Sequence, residues 1–150
     1  MNDAALRKLE ETLAAEMPIC TAMGIKPVEW DGCRLAMRMP LMPNRNHQYS
    51  AFAGSLNALC TIVGWGKVFL MLHHAGLSGN IVIRRSQIRY LRPVRSQAIV
   101  AHSLPIDGDA ETYFFDLLRS HGASKVDLTT EIVDAEGALV TFHGSYVVQD

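Results

Sequence analysis

Leu6, Leu9, Leu13 and Met17 recur at steps of three and four, the spacing of one helical face, behind a cap at Asn2 or Asp3 and with Pro18 as the expected stop. Further on the period drops to two. Leu35, Met37 and Met39 alternate with Arg34, Ala36 and Arg38, and Asp31-Gly32 separates this run from Gly24 to Trp30, which predicts a β-hairpin. Pro40 to Gln48 holds turn formers and polar residues and predicts a loop. From Ser50 to Leu72 the only charge is Lys67, so a long helix buried on nearly all sides is expected, ending near His74 to Gly76. Ser50, Ser55, Asn57 and Thr61 interrupt this stretch and argue against a membrane span.

After Gly79, the β-formers of Ile81 to Leu91 change apolar parity, from Ile81 and Ile83 to Ile88 and Tyr90, as a β-bulge requires. Pro93 marks a boundary, and Gln97 to Leu104 reads as the returning strand. Asp107-Gly108-Asp109 opens a short helix carrying Phe114, Leu117 and Leu118, with Gly122 placed to end it. Val126, Leu128, Thr130 and Ile132 then alternate with polar residues. Beyond Glu136-Gly137, Val140, Phe142, Tyr146 and Val148 share one face, which predicts a second hairpin. The class is α+β. A helix apolar nearly all round needs a strongly curved antiparallel sheet to wrap it, and residues 1–150 form one domain.

Composition agrees: 150 residues, 49% hydrophobic and 19% charged, can bury one core. Fourteen Lys plus Arg against fifteen Asp plus Glu give no reason to expect a nucleic-acid or membrane-surface partner. Cys20, Cys33 and Cys60 are odd in number and lack C-x-x-C spacing, which argues against a disulfide framework and against a thiolate zinc site and points to a reducing cytoplasm. Four acids among the first sixteen residues leave no room for an export signal. Adjacent His73 and His74 diverge at a helix end, and His102, His121 and His143 lack ligand spacing, so no metal is expected.

Ser50, Gly54, Asn57, Thr61 and Gly64 follow i, i+4, i+7, i+11, i+14, so small and polar groups form one stripe that can face a cavity. Alternatively, Asn57 and Thr61 bond the preceding turn and the glycines permit close packing. Unpaired backbone N–H groups near Phe52, Ala53 and Gly54, at the helix start, can meet a developing negative oxygen. Arg84, Arg85, Arg89, Arg92 and Arg95 fall within twelve residues, either as a salt-bridged strand face or as a guanidinium clamp for phosphates or an acidic protein. Arg85 and Arg89 share strand parity.

The run from Asn44 to Leu56, followed by Gly64-Trp65-Gly66 and by Ile88-Arg89-Tyr90-Leu91-Arg92-Pro93-Val94, resembles the hot-dog-fold thioesterase superfamily. Within it the likeness is strongest to the putative thioesterase family also found as the C-terminal domain of some acetyltransferase fusions. The resemblance implies a hot-dog fold, a curved antiparallel sheet around one central helix, assembled as a homodimer or dimer of dimers through the strand ending Ile88 to Pro93. It implies a substrate that is an acyl thioester of coenzyme A or acyl carrier protein, with no separate cofactor. The related histidine-glycine-glycine motif falls on Phe52, Ala53 and Gly54, and its acidic position on Thr61. This chain has phenylalanine for histidine, and no Asp or Glu from Ser50 to Leu72.

The expected catalytic set is therefore Asn46, His47, Ala53, Gly54 and Thr61. Ala53 and Gly54 offer amides, Thr61 and Asn46 order a water, and His47, with an unperturbed pKa of about 6.5, suits acid or base work. Phe52, Ser55, Asn57 and Trp65, with Arg85, Arg89 and Arg92, are the expected substrate-binding residues. The expected activity is thioester hydrolysis. Its rival is a non-catalytic acyl-thioester binder, since a threonine is no base unaided. A hydratase on this fold would need a histidine paired with an acid, which the helix lacks.

Overall fold

The computed structural model describes residues 3–150, so a cap at Asn2 lies outside the described residues. Helix α1, Asp3–Glu16, packs Leu9 and Leu13 into the core. Pro18 does more than stop it. It stands at the first position of a further helix, α2 (Pro18–Met23), where its missing N–H costs nothing, and Gly24 closes that helix in the left-handed conformation at φ +75°. The first hairpin follows as expected, β1 (Lys26–Trp30) with β2 (Leu35–Pro40). Asp31 Oδ1 accepts the amides of Cys33 and Arg34 at its turn, and Leu35, Met37 and Met39 all face inward.

The long helix α3 runs Ala53–His74, three residues later than the apolar run begins. Ser50 is thus in the preceding loop and drops out of the expected stripe. Strands β3 (Asn80–Tyr90) and β4 (Ala98–Ser103) are not neighbours, contrary to the reading of Gln97 to Leu104 as a strand returning beside β3. The antiparallel order is β1-β2-β4-β5-β6-β3, with β5 Ala123–Asp134 and β6 Gly137–Gln149. The chain passes from β3 at one edge to β4 inside the sheet through residues 91–97, where the Val94 carbonyl accepts the Ala51 amide just ahead of α3. The expected bulge is present between Ile83 and Arg85. Helix α4, Gly108–His121, is longer than the short helix expected, with Phe114 and Leu118 buried.

Six strands curve around α3, the hot-dog arrangement, and α1 covers part of the remaining face. The glycines of Gly64-Trp65-Gly66 serve two different neighbours. A Cβ at Gly64 would collide with the Tyr146 ring and hydroxyl of β6, and one at Gly66 with Leu35 of β2. Length and composition alone would let α3 cross a membrane; here it is the central core element. β3 is an edge strand, its second edge unpaired within the chain.

Candidate active site

Asparagines shape the loop that leads into α3. Buried Asn44 donates from Nδ2 to the carbonyls of Met23 (2.9 Å) and Pro40 (2.8 Å), tying the loop to α2 and β2. Its own carbonyl accepts the Phe52 amide at 2.7 Å. Asn46 Oδ1 accepts the amides of Gln48 (2.8 Å) and Ser50 (3.1 Å), while Nδ2 donates to Ser50 Oγ at 2.9 Å. With these three bonds Asn46 builds the turn that holds Tyr49 at φ 60°, a conformation a short carboxamide can support by bonding backbone. Its carboxamide is therefore occupied, not aimed as a free water-orienting group. Asn44, absent from the expected set, was signalled only by its kinship with Asn46 as a turn-forming asparagine. His47 is exposed and forms no hydrogen bond among the described residues.

Phe52 enters α3 at φ −64°, ψ 133° without a side-chain cap. Its amide is taken by Asn44, which corrects the expectation that Phe52 N–H is available. The amides of Ala53, Gly54 and Ser55 carry no hydrogen bond among the described residues, the ordinary condition of a helix start left uncapped. The Phe52 ring, 56% exposed, folds over Gly54, where a Cβ would overlap it. From β3, Tyr90 Oη donates to the Ala53 carbonyl at 3.1 Å. Three donors with the positive end of the helix dipole thus open onto a surface walled by two aromatic rings.

Deeper along α3, Thr61 Oγ1 makes a long 3.5 Å contact to Asn57 Oδ1, and the buried Tyr146 hydroxyl donates to the Thr61 carbonyl at 2.8 Å. Asn57 and Thr61 are both half-buried, and the contact of Thr61 with Asn57 one turn back and of Gly64 with Tyr146 fits the packing reading of the stripe. At 1.5 Å rise per residue, Thr61 stands roughly 10 Å along the axis from Gly54, so one carbonyl cannot touch both within a single chain. Trp65 donates from Nε1 to the Ile81 carbonyl at 3.2 Å and stacks on Phe69 at 5.4 Å. Among the arginines, Arg92 is already engaged, with Asp134 at 2.9 Å and Glu136 at 3.1 Å, so it clamps the β5–β6 turn. Arg85 and Arg89 pair across from Ser145 and Thr141, on the outer face of the sheet away from α3. They share a face, as their parity requires, but not the face of the helix start.

At the opposite end of α3 a cavity of about 350 Å³ is lined by Trp30, Asp31, Met71, His74, Glu111 and Phe115. Near it Lys67 is 2% exposed, its Nζ donating to the Leu104 carbonyl at 2.7 Å. Burial pushes this ammonium below its ordinary pKa, against an opposing pull from Cys33, Glu111 and Asp31. No group of three or more His, Cys, Asp or Glu among the described residues is arranged to hold a metal.

Fold and site together define a hot-dog protein with an uncapped central helix. Residues 6–150 match the family described as putative thioesterase (yiiD_Cterm), and the chain belongs to that family. A putative thioesterase from Shewanella oneidensis is 30% identical over 99% of both chains, with a TM-score of 0.89. A protein of unknown function from Chlorobaculum tepidum is 27% identical over 99% of this chain and 96% of its own, at 0.93. A thioesterase from Haemophilus influenzae, 16% identical over 96% of this chain and 90% of its own at 0.70, shares the fold.

Proposed function

We propose that this chain hydrolyses an acyl thioester of coenzyme A or acyl carrier protein, with the amides of Ala53 and Gly54 receiving the carbonyl oxygen. The observation that carries the reading is the set of unpaired amides at the start of α3, in a chain of a thioesterase family. Water adds to the thioester carbon, the C=O electron pair moves onto oxygen, and the two N–H groups stabilise that charge. Collapse re-forms C=O and breaks the C–S bond; the proton given up by water ends on the departing thiolate, giving carboxylic acid and free thiol. No acyl-enzyme forms. Since Thr61 and Gly54 of one chain are too far apart to share a carbonyl, Thr61 orders the water for a partner's helix start. Such a partner joins through the free edge of β3, making a homodimer. Arg85 and Arg89 bind coenzyme A phosphates or an acidic carrier surface from the outer face. The absence of any carboxylate on α3 favours, as the second reading, a binder that does not turn over.

Thiol release from a panel of acyl-CoA and acyl-carrier-protein esters tests this, with Thr61→Val expected to lower kcat about 10- to 1000-fold and Thr61→Ser to retain most of it. Binding without release on every ester establishes the non-catalytic reading. A stable monomer by light scattering at micromolar concentration removes the shared site.

A further inference from the structure

The Tyr90 hydroxyl bonds one particular carbonyl of α3, and the identity of that carbonyl matters. The Ala53 C=O and the Gly54 N–H are two ends of the same planar peptide unit. At one end the oxygen accepts from Tyr90 Oη at 3.1 Å in addition to its helical bond; at the other end the N–H has no partner. We propose that Tyr90 is a positioning residue that polarises the Ala53–Gly54 peptide and so strengthens Gly54 N–H as the donor to the substrate oxygen. This rests on the thioester reading above.

Resonance links the two ends. A proton held against the oxygen draws electron density from nitrogen, so the N–H becomes more positive, the cooperative effect that runs along hydrogen-bonded peptides. The geometry supports it from both sides: the Phe52 ring lies over Gly54, and the Tyr90 phenol approaches from β3, so the peptide plane is held between an apolar wall and a donor. As a phenol, with an ordinary pKa of about 10, Tyr90 is a hydrogen-bond donor at neutral pH. Tyr90 lies at the end of β3, the strand whose second edge is unpaired within the chain.

Tyr90→Phe keeps the ring and removes the bond. A neutral hydrogen bond of ordinary net strength corresponds to a loss of about 2- to 10-fold in kcat, with KM changed less than about twofold. Replacing Tyr90 by 3-fluorotyrosine, a more acidic phenol and stronger donor, raises kcat at pH 6.5; a purely structural tyrosine would not respond. The amide ¹⁵N resonance of Gly54, measured in labelled protein, moves upfield in Tyr90→Phe as its peptide loses polarisation. A kcat equal to that of the native protein in Tyr90→Phe, or an unmoved Gly54 resonance, overturns the proposal. If the native protein releases thiol from no ester, the hydrolase reading falls, and the Gly54 resonance alone decides whether Tyr90 polarises the peptide.

Discussion

The two ends of α3 are built on opposite terms. At its C-terminal end Ala75, Gly76 and Leu77 return their amides to the carbonyls of Met71, His73 and Leu72, with Gly76 in the left-handed conformation at φ +70° that makes this closure cheap. At its N-terminal end no side chain caps the helix and three amides stay open. A cap residue there would stabilise the fold by about 1 kcal/mol and occupy donors that the proposed reaction leaves for the substrate oxygen. The difference separates a helix end whose groups are closed within the chain from one whose donors stay open, and the proposed hydrolysis uses the open one.

Ala53→Pro breaks the comparison most sharply. Phe52 already has the extended ψ of 133° that precedes proline, and the first helical position tolerates a missing N–H, so stability stays within about 0.5 kcal/mol. Loss of one oxyanion donor lowers kcat about 100- to 1000-fold, read by thiol release. Unchanged kcat would show that the open end is not the site.

Two glycines sharpen it next. Gly64→Ala forces a methyl into the buried Tyr146 ring and its bond to Thr61, costing about 1–3 kcal/mol or more in urea unfolding. Gly54→Ala meets only the exposed Phe52 ring, which swings aside, so its cost stays below about 1 kcal/mol while activity falls. Equal destabilisation by the two would mean the open end is as tightly packed as the core.

Lys67 tests the closed half by pH. Burial holds its folded pKa below the ordinary 10.5, so at pH below the folded value both states are protonated and the full cost of the buried charge is present. As pH rises through the folded value towards 10.5, the unfolded chain holds more protons and stability rises. The unfolding free energy of native protein minus that of Lys67→Met should therefore climb over this window and then level; a flat difference refutes the burial cost. The smallest effect belongs to Arg92→Ala, which breaks exposed, solvent-screened ion pairs to Asp134 and Glu136 and should leave the urea midpoint almost unmoved and KM unaltered. A large rise in KM would return Arg92 to the phosphate clamp.

Much was legible from order along the chain. Period-two runs at Leu35–Met39 and Val126–Ile132, the parity change at Ile83 to Ile88 and the uniform apolarity of Ser50–Leu72 each report a local environment, because a side chain's neighbours in a strand or helix are set by its spacing. With the family motifs, they determined hairpins, bulge, central helix and fold class. What spacing could not carry is which strand lies beside which: β3 pairs with β6 and β4 with β2 and β5, pairings that depend on how the sheet closes over α3. The same holds for the site. Residue type singled out Asn46, Thr61 and Arg92, yet only tertiary contacts showed that Asn46 is spent on its turn, Arg92 on two carboxylates, and Phe52 N–H on Asn44. Tyr90 was visible as a strand residue, but its place 37 positions away on the Ala53 carbonyl belongs to the closed sheet. Sequence determines local periodicity and which groups exist; which donors remain unpaired depends on long-range packing, and only the tertiary structure decided that.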